Sequence, residues 1–306
     1  MKRIAFAIAT ALLLCSSLFA QRADLFAQRQ RSTQPPSTPP SIFTFYNVTY
    51  PHDTFVQLLG INNEFLIAGY HGADPNKGFT FFYPAEFAPE NYPGSVQTQV
   101  IAINNDSNVE TAGFYIDKAN ITHGFLHNSS AWTNVDFPGT TFNQLLGLND
   151  NNAAAGYYMD GVGNFHPYIY QQSGEVFESL TLPHTLSAQA TGINNSGAIV
   201  GFFLDSSGVS HGWVLNGTKY TVLNFPGSTS TQALGINNFN GIVGSFTDTE
   251  GATHGFLYYL GDWIQIDDPS GIGVTIVNGI DDDFLIVGFM NFSSTVNTGF
   301  IGVPTE

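Results

Sequence analysis

A single unit of sequence, written six times over, governs what this chain can become. An aliphatic residue followed by a pair of Asn or Asp residues recurs at Ile61, Ile103, Leu148, Ile193, Ile236 and Ile280, at intervals of 42, 45, 45, 43 and 44 residues. A proline precedes each copy, at Pro51, Pro93, Pro138, Pro183, Pro226 and Pro269, so a second ruler gives the same count. A fixed period of this size marks a chain made by stacking one supersecondary unit, because a lone unit cannot bury its own apolar face.

Each copy holds four short apolar runs rich in Val, Ile, Phe, Tyr and Thr and punctuated by Gly, Asn, Asp and Ser, which is strand and turn grammar. In the fifth copy the runs fall at 232–236, 242–247, 253–259 and 263–266. The joining turns are too short for parallel crossovers, so neighbouring strands are antiparallel. A four-stranded meander repeated at about 40–50 residues predicts an all-β fold, a six-bladed β-propeller. The first run of each copy carries small residues before its aliphatic anchor, as in Ala190-Thr191-Gly192 and Ala233-Leu234-Gly235, which suits the crowded strand beside a central channel. The repeat region opens with a lone fourth-type strand at 43–50 and ends with a third-type strand at 299–303. Pairing the two would complete the sixth blade and leave no open inner edge.

Hairpins between the second and third runs carry Asp-x-x-Gly, as in Asp205-Ser206-Ser207-Gly208, with Asp opening the turn and Gly closing it in the left-handed region. This register places Gly113 opposite Phe125, Gly156 opposite Tyr168, Gly201 opposite Trp213, Gly244 opposite Phe256 and Gly288 opposite Phe300. A histidine follows the turn aspartate by six residues in four copies: Asp117 and His123, Asp160 and His166, Asp205 and His211, Asp248 and His254. Chemistry needs one site rather than four copies around a ring, so these pairs are expected to lock turns. The Asn and Asp pairs should ring one mouth of the channel and serve their own turns. Where the acids are adjacent, at Asp281, Asp282 and Asp283, they could also hold Ca²⁺ through carboxylate oxygens. No other cofactor is expected.

Charge narrows the partners. From residue 42 onward there are 3 Lys, no Arg and 23 acidic residues, a formal charge of 3 − 23 = −20. Phosphate backbones are bound through Lys and Arg, so nucleic acid is excluded as a partner. An anionic membrane surface is excluded on the same ground. Residues 1–20 read as a secretory signal, with Lys2 and Arg3 ahead of an apolar core and small residues near Ala20. Residues 21–41 are Pro-rich and read as a disordered or extended linker before the repeat domain at 42–306. The only cysteine, Cys15, lies in the signal segment, so the mature chain has no thiol chemistry. A secreted, periplasmic or cell-surface monomer with no membrane span in the mature chain is expected.

The series Gly-Ile-Asn-Asn, Val-Gly and His-Gly-Phe resembles the HAF repeat of extracellular bacterial proteins, named for a His-Ala-Phe triplet. Here the middle residue is Gly in His123-Gly124-Phe125, His211-Gly212-Trp213 and His254-Gly255-Phe256, and the third copy reads His166-Pro167-Tyr168. The first and last copies, Lys77-Gly78-Phe79 and Thr298-Gly299-Phe300, lack the histidine. The resemblance spans 42–306 and implies secretion and a repeat array, with no activity attached.

Nearly every polar residue therefore belongs to the scaffold, and the first functional expectation is a non-catalytic binding module for a neutral glycan, a cation or another surface protein. Residues that break the repeat are the candidates for a ligand site: His52, His71, Lys77 and His184 at one mouth. An alternative is a glycoside hydrolase or lyase working with two carboxylates, for which Glu86 and Glu90, assigned to the third-to-fourth connection of the first blade, are the symmetry-breaking acids. A sialidase is excluded, since clamping a substrate carboxylate relies on Arg. A third expectation, motivated by the Pro-rich spacer, is an adhesive or structural module of the cell envelope.

Overall fold

The computed structural model describes residues 35–84, 86–129, 131–183 and 185–305. The expected signal segment, most of the linker and the candidate His184 lie outside these residues. Within them the chain is all β, in six four-stranded antiparallel sheets. Blade 1 comprises Val56–Ile61, Leu66–His71, Lys77–Phe82 and Phe87–Pro89, and blade 2 comprises Gln97–Ile103, Glu110–Ile116, Thr122–Asn128 and Ala131–Val135. Blade 3 runs Asn143–Leu148, Ala153–Met159, Phe165–Gln171 and Val176–Ser179, and blade 4 runs Ser187–Ile193, Ile199–Leu204, Ser210–Asn216 and Lys219–Leu223. Blade 5, at Ser230–Ile236, Ile242–Thr247, Thr253–Tyr259 and Asp262–Ile266, matches the runs read from its sequence to within two residues.

Blade 6 is closed from both ends of the chain. Its first three strands are Thr275–Ile280, Ile286–Ser293 and Val296–Thr305, and its outer strand is Ile42–Val48. The register runs from Ile42 opposite Thr305 to Val48 opposite Gly299, which fastens the ring where the repeat region begins and ends. The last blade thus takes its outer strand from the start of the repeat region, and its sheet gains the partner the meander alone would lack.

All five glycine-to-aromatic pairings expected from the hairpins are present, and Gly69 opposite Phe79 adds a sixth. The six rings are fully buried. Just inside each pair the innermost strand bulges by one residue, for example between Ala190 and Gly192. The bulge turns a carbonyl toward the second strand, so a Cβ on Gly201 would lie 1.9 Å from the Gln189 oxygen and 2.7 Å from the Trp213 ring. Glycine there is a steric necessity imposed from two sides, by the bulged backbone and by the ring that covers it.

The core is divided among the seams. Six apolar clusters each straddle two adjacent blades, as Val200, Leu223, Ala233, Ile242, Phe246 and Phe256 do between blades 4 and 5. Each fully buried ring contributes roughly 2–3 kcal/mol by leaving water. Since the first strand of every blade runs toward its Asn turn, the first-to-second and third-to-fourth loops share one face of the disc. The Asp hairpins and the Pro-containing links share the other.

Candidate functional site

The Asn and Asp pairs form a closed ring at one channel mouth. The first residue of each pair is buried, and its side-chain oxygen accepts backbone N–H groups of its own turn: Asn237 from Phe239 and Gly241, Asp281 from Asp283 and Leu285. Where this residue is Asn62, Asn149, Asn194 or Asn237, its amide nitrogen donates to the same position of the next blade, at 2.9–3.0 Å. The second residue completes a cycle. Each backbone N–H donates to the side-chain oxygen of its counterpart one blade on, from Asn63 through Asn105, Asp150, Asn195, Asn238 and Asp282 back to Asn63, at 2.6–3.0 Å. The two acids of the cycle, Asp150 and Asp282, stand three blades apart, and each Oδ2 accepts an amide N–H from the Asn on either side.

This pattern fixes how the adjacent acids are used. Asp281 turns into its own loop while Asp282 joins the ring, so Asp281, Asp282 and Asp283 do not converge on one point. Among the described residues no group of three His, Cys, Asp or Glu side chains is arranged to hold a metal ion.

On the opposite face the His and Asp pairs do structural work. One oxygen of each aspartate accepts two N–H groups of its hairpin, as Asp205 does from Ser207 and Val209. The other receives the imidazole, with His166 at 2.8 Å from Asp160, and His211 and His254 at 3.2 Å from Asp205 and Asp248. His123 lies 3.6 Å from Asp117, an ion-pair distance only. The second ring nitrogen finds a partner that the sequence reading did not name, thirteen residues on: Asp136 for His123, Asn224 for His211 and Asp267 for His254, at 2.8–2.9 Å. The hydrogen bond from His166, then the Asn164 N–H, hold the Asp160 carboxyl well below the usual carboxylate range. Partial burial pulls His254 down, but its bonds to Asp267 and Asp248 outweigh that and leave the imidazole raised.

An open site lies at the rim, in the seam between blades 4 and 5. This cleft of about 330 Å³ has an apolar floor of Val214, Leu223 and Ile242, an aromatic wall of Phe239, Tyr258 and Tyr259, and polar groups from Asn216, Lys219, Thr221 and Asn240. The side chains of Lys219, Thr221 and Asn216 and the Tyr258 hydroxyl have no hydrogen-bond partner among the described residues, while Asn240 Oδ1 accepts from Asn194 at 3.1 Å. The inner turn contributes to the opening. In every blade but the second the fourth residue of the inner turn takes positive φ, and in blades 1 and 6 it is Phe65 and Phe284, 3% and 2% exposed, each packed into the seam behind it. Blades 3, 4 and 5 have Asn152, Gly197 and Asn240 at this position, so no ring from this turn enters their seams.

No family profile matches the chain, and no curated protein matches it in sequence. Its likeness is one of fold. The SapL1 lectin, solved with α-methyl fucoside, superposes with a TM-score of 0.55 at 11% identity over 81% of this chain and 92% of the lectin. The fucose-specific lectin of Aleuria aurantia superposes with a TM-score of 0.53 at 13% identity, over 83% of this chain and 99% of its own. That lectin is a six-bladed β-propeller as well. A candidate TolB of Agrobacterium tumefaciens gives a TM-score of 0.60 at 10% identity, over 82% and 91% of the two chains. At these identities the likeness establishes the propeller fold, which hosts many functions.

The residues singled out for breaking the repeat do not gather into one site. His71 and Lys77 are cross-strand neighbours in blade 1, but His71 Nδ1 pairs with Asp53 at 2.9 Å under a stacked Tyr50 ring, and Lys77 donates to the Val96 carbonyl at 3.0 Å. His52 is an exposed turn residue with φ 63°. One assignment needs correction: Glu90 is not in the third-to-fourth connection. It follows the outer strand Phe87–Pro89, its N–H donates to the Gly78 carbonyl, and its side chain is buried, whereas Glu86 is exposed. The outer strand of blade 1 is only three residues long, which hid it from the sequence pattern. The segment Gly208-Val209-Ser210-His211-Gly212 spells Gly-x-Ser-x-Gly, yet it lies in a β-hairpin rather than a strand-to-helix elbow, and Ser210 is buried opposite Leu204. The cleft residues Asn240, Tyr258 and Lys219 were missed because each fits the repeat pattern when read alone. The nearest signal, the lack of Phe at the fourth turn position, is shared with Ser107, Asn152 and Gly197, so the sequence does not single out this seam.

Proposed function

We propose that this protein is a secreted, non-catalytic carbohydrate-binding β-propeller that holds a neutral saccharide in the rim cleft between blades 4 and 5. The observation that carries the reading is the pairing of an aromatic wall with uncommitted polar groups in one concave seam. A pyranose has apolar C–H faces and a belt of hydroxyls, and it is matched by aromatic surface plus a few placed donors and acceptors. Tyr258 and Phe239 supply the first, and Asn216, Lys219, Thr221 and the Tyr258 hydroxyl supply the second. The fucose-binding propellers of similar fold support a sugar as the ligand class. The carboxylates offered for a hydrolase are divided between solvent and a buried seam, which supports binding over cleavage.

Trp263 lies 4.6 Å from Tyr258 and makes a native reporter. Titration with the saccharides of a neutral glycan array should change its fluorescence and saturate, and Tyr258→Ala should abolish the change. An absence of binding to every arrayed sugar at millimolar concentration would remove this reading. Fractionation of expressing cells tests export: a protein retained in the cytoplasm would contradict the proposed secretion.

A further inference from the structure

The seam between blades 1 and 2 departs from the repeat at three positions that touch one another. At the end of the outer strand, five seams carry Val48, Val135, Leu180, Leu223 and Ile266, and this one carries Glu90. Two residues before the covered glycine, the other blades have Ile67, Ala154, Ile199, Ile242 and Ile286, and blade 2 has Thr111. Two residues after the covering ring, the others have Phe81, Tyr170, Leu215, Tyr258 and Gly302, and blade 2 has His127. The first two changes put hydrogen-bonding groups at positions that are apolar in every other blade, the third puts an imidazole where the others carry Phe, Tyr, Leu or Gly, and all three fall on one seam.

The three groups form a unit. Glu90, 7% exposed, accepts hydrogen bonds through Oε1 from the Thr111 hydroxyl and from His127 Nδ1, the latter at 2.9 Å. The imidazole stacks on Trp132 with centroids 3.8 Å apart and planes 15° apart. With Nδ1–H committed to the carboxylate, the neutral ring carries its lone pair on Nε2, which has no partner among the described residues. The ring remains 26% exposed. A buried carboxylate thus sets the tautomer and aims an acceptor nitrogen outward, the arrangement used wherever an imidazole must meet a ligand.

Position supplies the second argument. The equivalents of Glu90, Thr111 and His127 in the seam of blades 4 and 5 are Leu223, Ile242 and Tyr258, and all three line the open cleft. Stability does not account for the exchange, since a buried charged cluster is commonly no more stable than apolar residues of similar volume. We infer that the seam between blades 1 and 2 is a second saccharide site of different chemistry, in which His127 Nε2 accepts a hydrogen bond from a ligand hydroxyl. This inference rests on the carbohydrate-binding reading above.

The test is to write the other seam's residues into this one, as the triple variant Glu90→Leu, Thr111→Ile, His127→Tyr of the full chain. The variant should melt at least about 2 °C higher and lose tenfold or more in affinity for a subset of sugars on a neutral glycan array. Tyr258→Ala should lose the complementary subset. A triple variant that melts lower, or that keeps every array signal while Tyr258→Ala loses its own, overturns the second site and leaves the first standing. An array on which wild type binds nothing removes both. Should the triple variant not fold, the single change Glu90→Gln with ¹⁵N detection of His127 decides: the Nε2 resonance of wild type should shift on adding an arrayed sugar retained by Tyr258→Ala, and Glu90→Gln should weaken that sugar tenfold. An unmoved resonance or an unchanged affinity overturns the proposal.

Discussion

Around the channel mouth the six blades are nearly interchangeable, whereas at their outer seams they are not. The ring from Asn63 to Asp282 links each blade to the next by the same backbone-to-side-chain bond, and even its two acids are absorbed as acceptors between amides. In the seams, Phe65 and Phe284 plug two, the one between blades 4 and 5 stays open, and Glu90 with His127 makes another polar. Repeated polar residues at the mouth and hairpins hold the disc together, and the side chains with atoms left for a partner lie in the seams.

The sharpest break of this contrast is steric. Gly201→Ala drives a methyl into the Gln189 carbonyl and the Trp213 ring, and should cost on the order of 3 kcal/mol in urea unfolding. If it is tolerated, the bulge-and-ring unit is not what fixes the blades. Asn237→Ala comes next. It removes an acceptor for two N–H groups and a donor to the Asp281 carbonyl, two of the three bonds buried, for about 2–3 kcal/mol. A loss within experimental error would mean that the ring is not holding the blades.

Rim changes should separate binding from stability. Asn240→Phe places at a positive-φ turn the residue that Phe284 and Phe65 already tolerate there, so it should fill the cleft and weaken sugar binding about tenfold or more with little change in melting temperature. The smallest effect belongs to the hairpin histidines. Because the His254 pKa is raised in the folded protein, its contribution is fully present below the ordinary imidazole value of 6.5 and fades as pH rises through the raised value. His254→Ala should flatten the dependence of melting temperature on pH in that window, by no more than about 2 °C for a partly exposed pair.

Much of the architecture was legible because it was written repeatedly. Blade number, strand order, the glycine-to-ring register and the joining of 42–48 to 296–305 all follow from period, turn chemistry and the complementary fragments at the two ends of the repeat region. The second partners of the histidines were not legible, since Asp136, Asn224 and Asp267 each directly follow an outer strand and meet the imidazole only when that strand is paired. The cleft was hidden for a related reason. A cavity is a relation between two blades, and nothing in Asn240 or Tyr258 alone announces that the space between them is empty.

What the chain dictates unaided is the wedge and its sixfold repetition, because hydrophobic alternation and turn residues act over a few neighbours and need no distant partner. What only the assembled ring decides is which seams close. Whether a position 40 or so residues away offers a phenyl ring, an amide or a carboxylate to the same gap is set by packing across the seam.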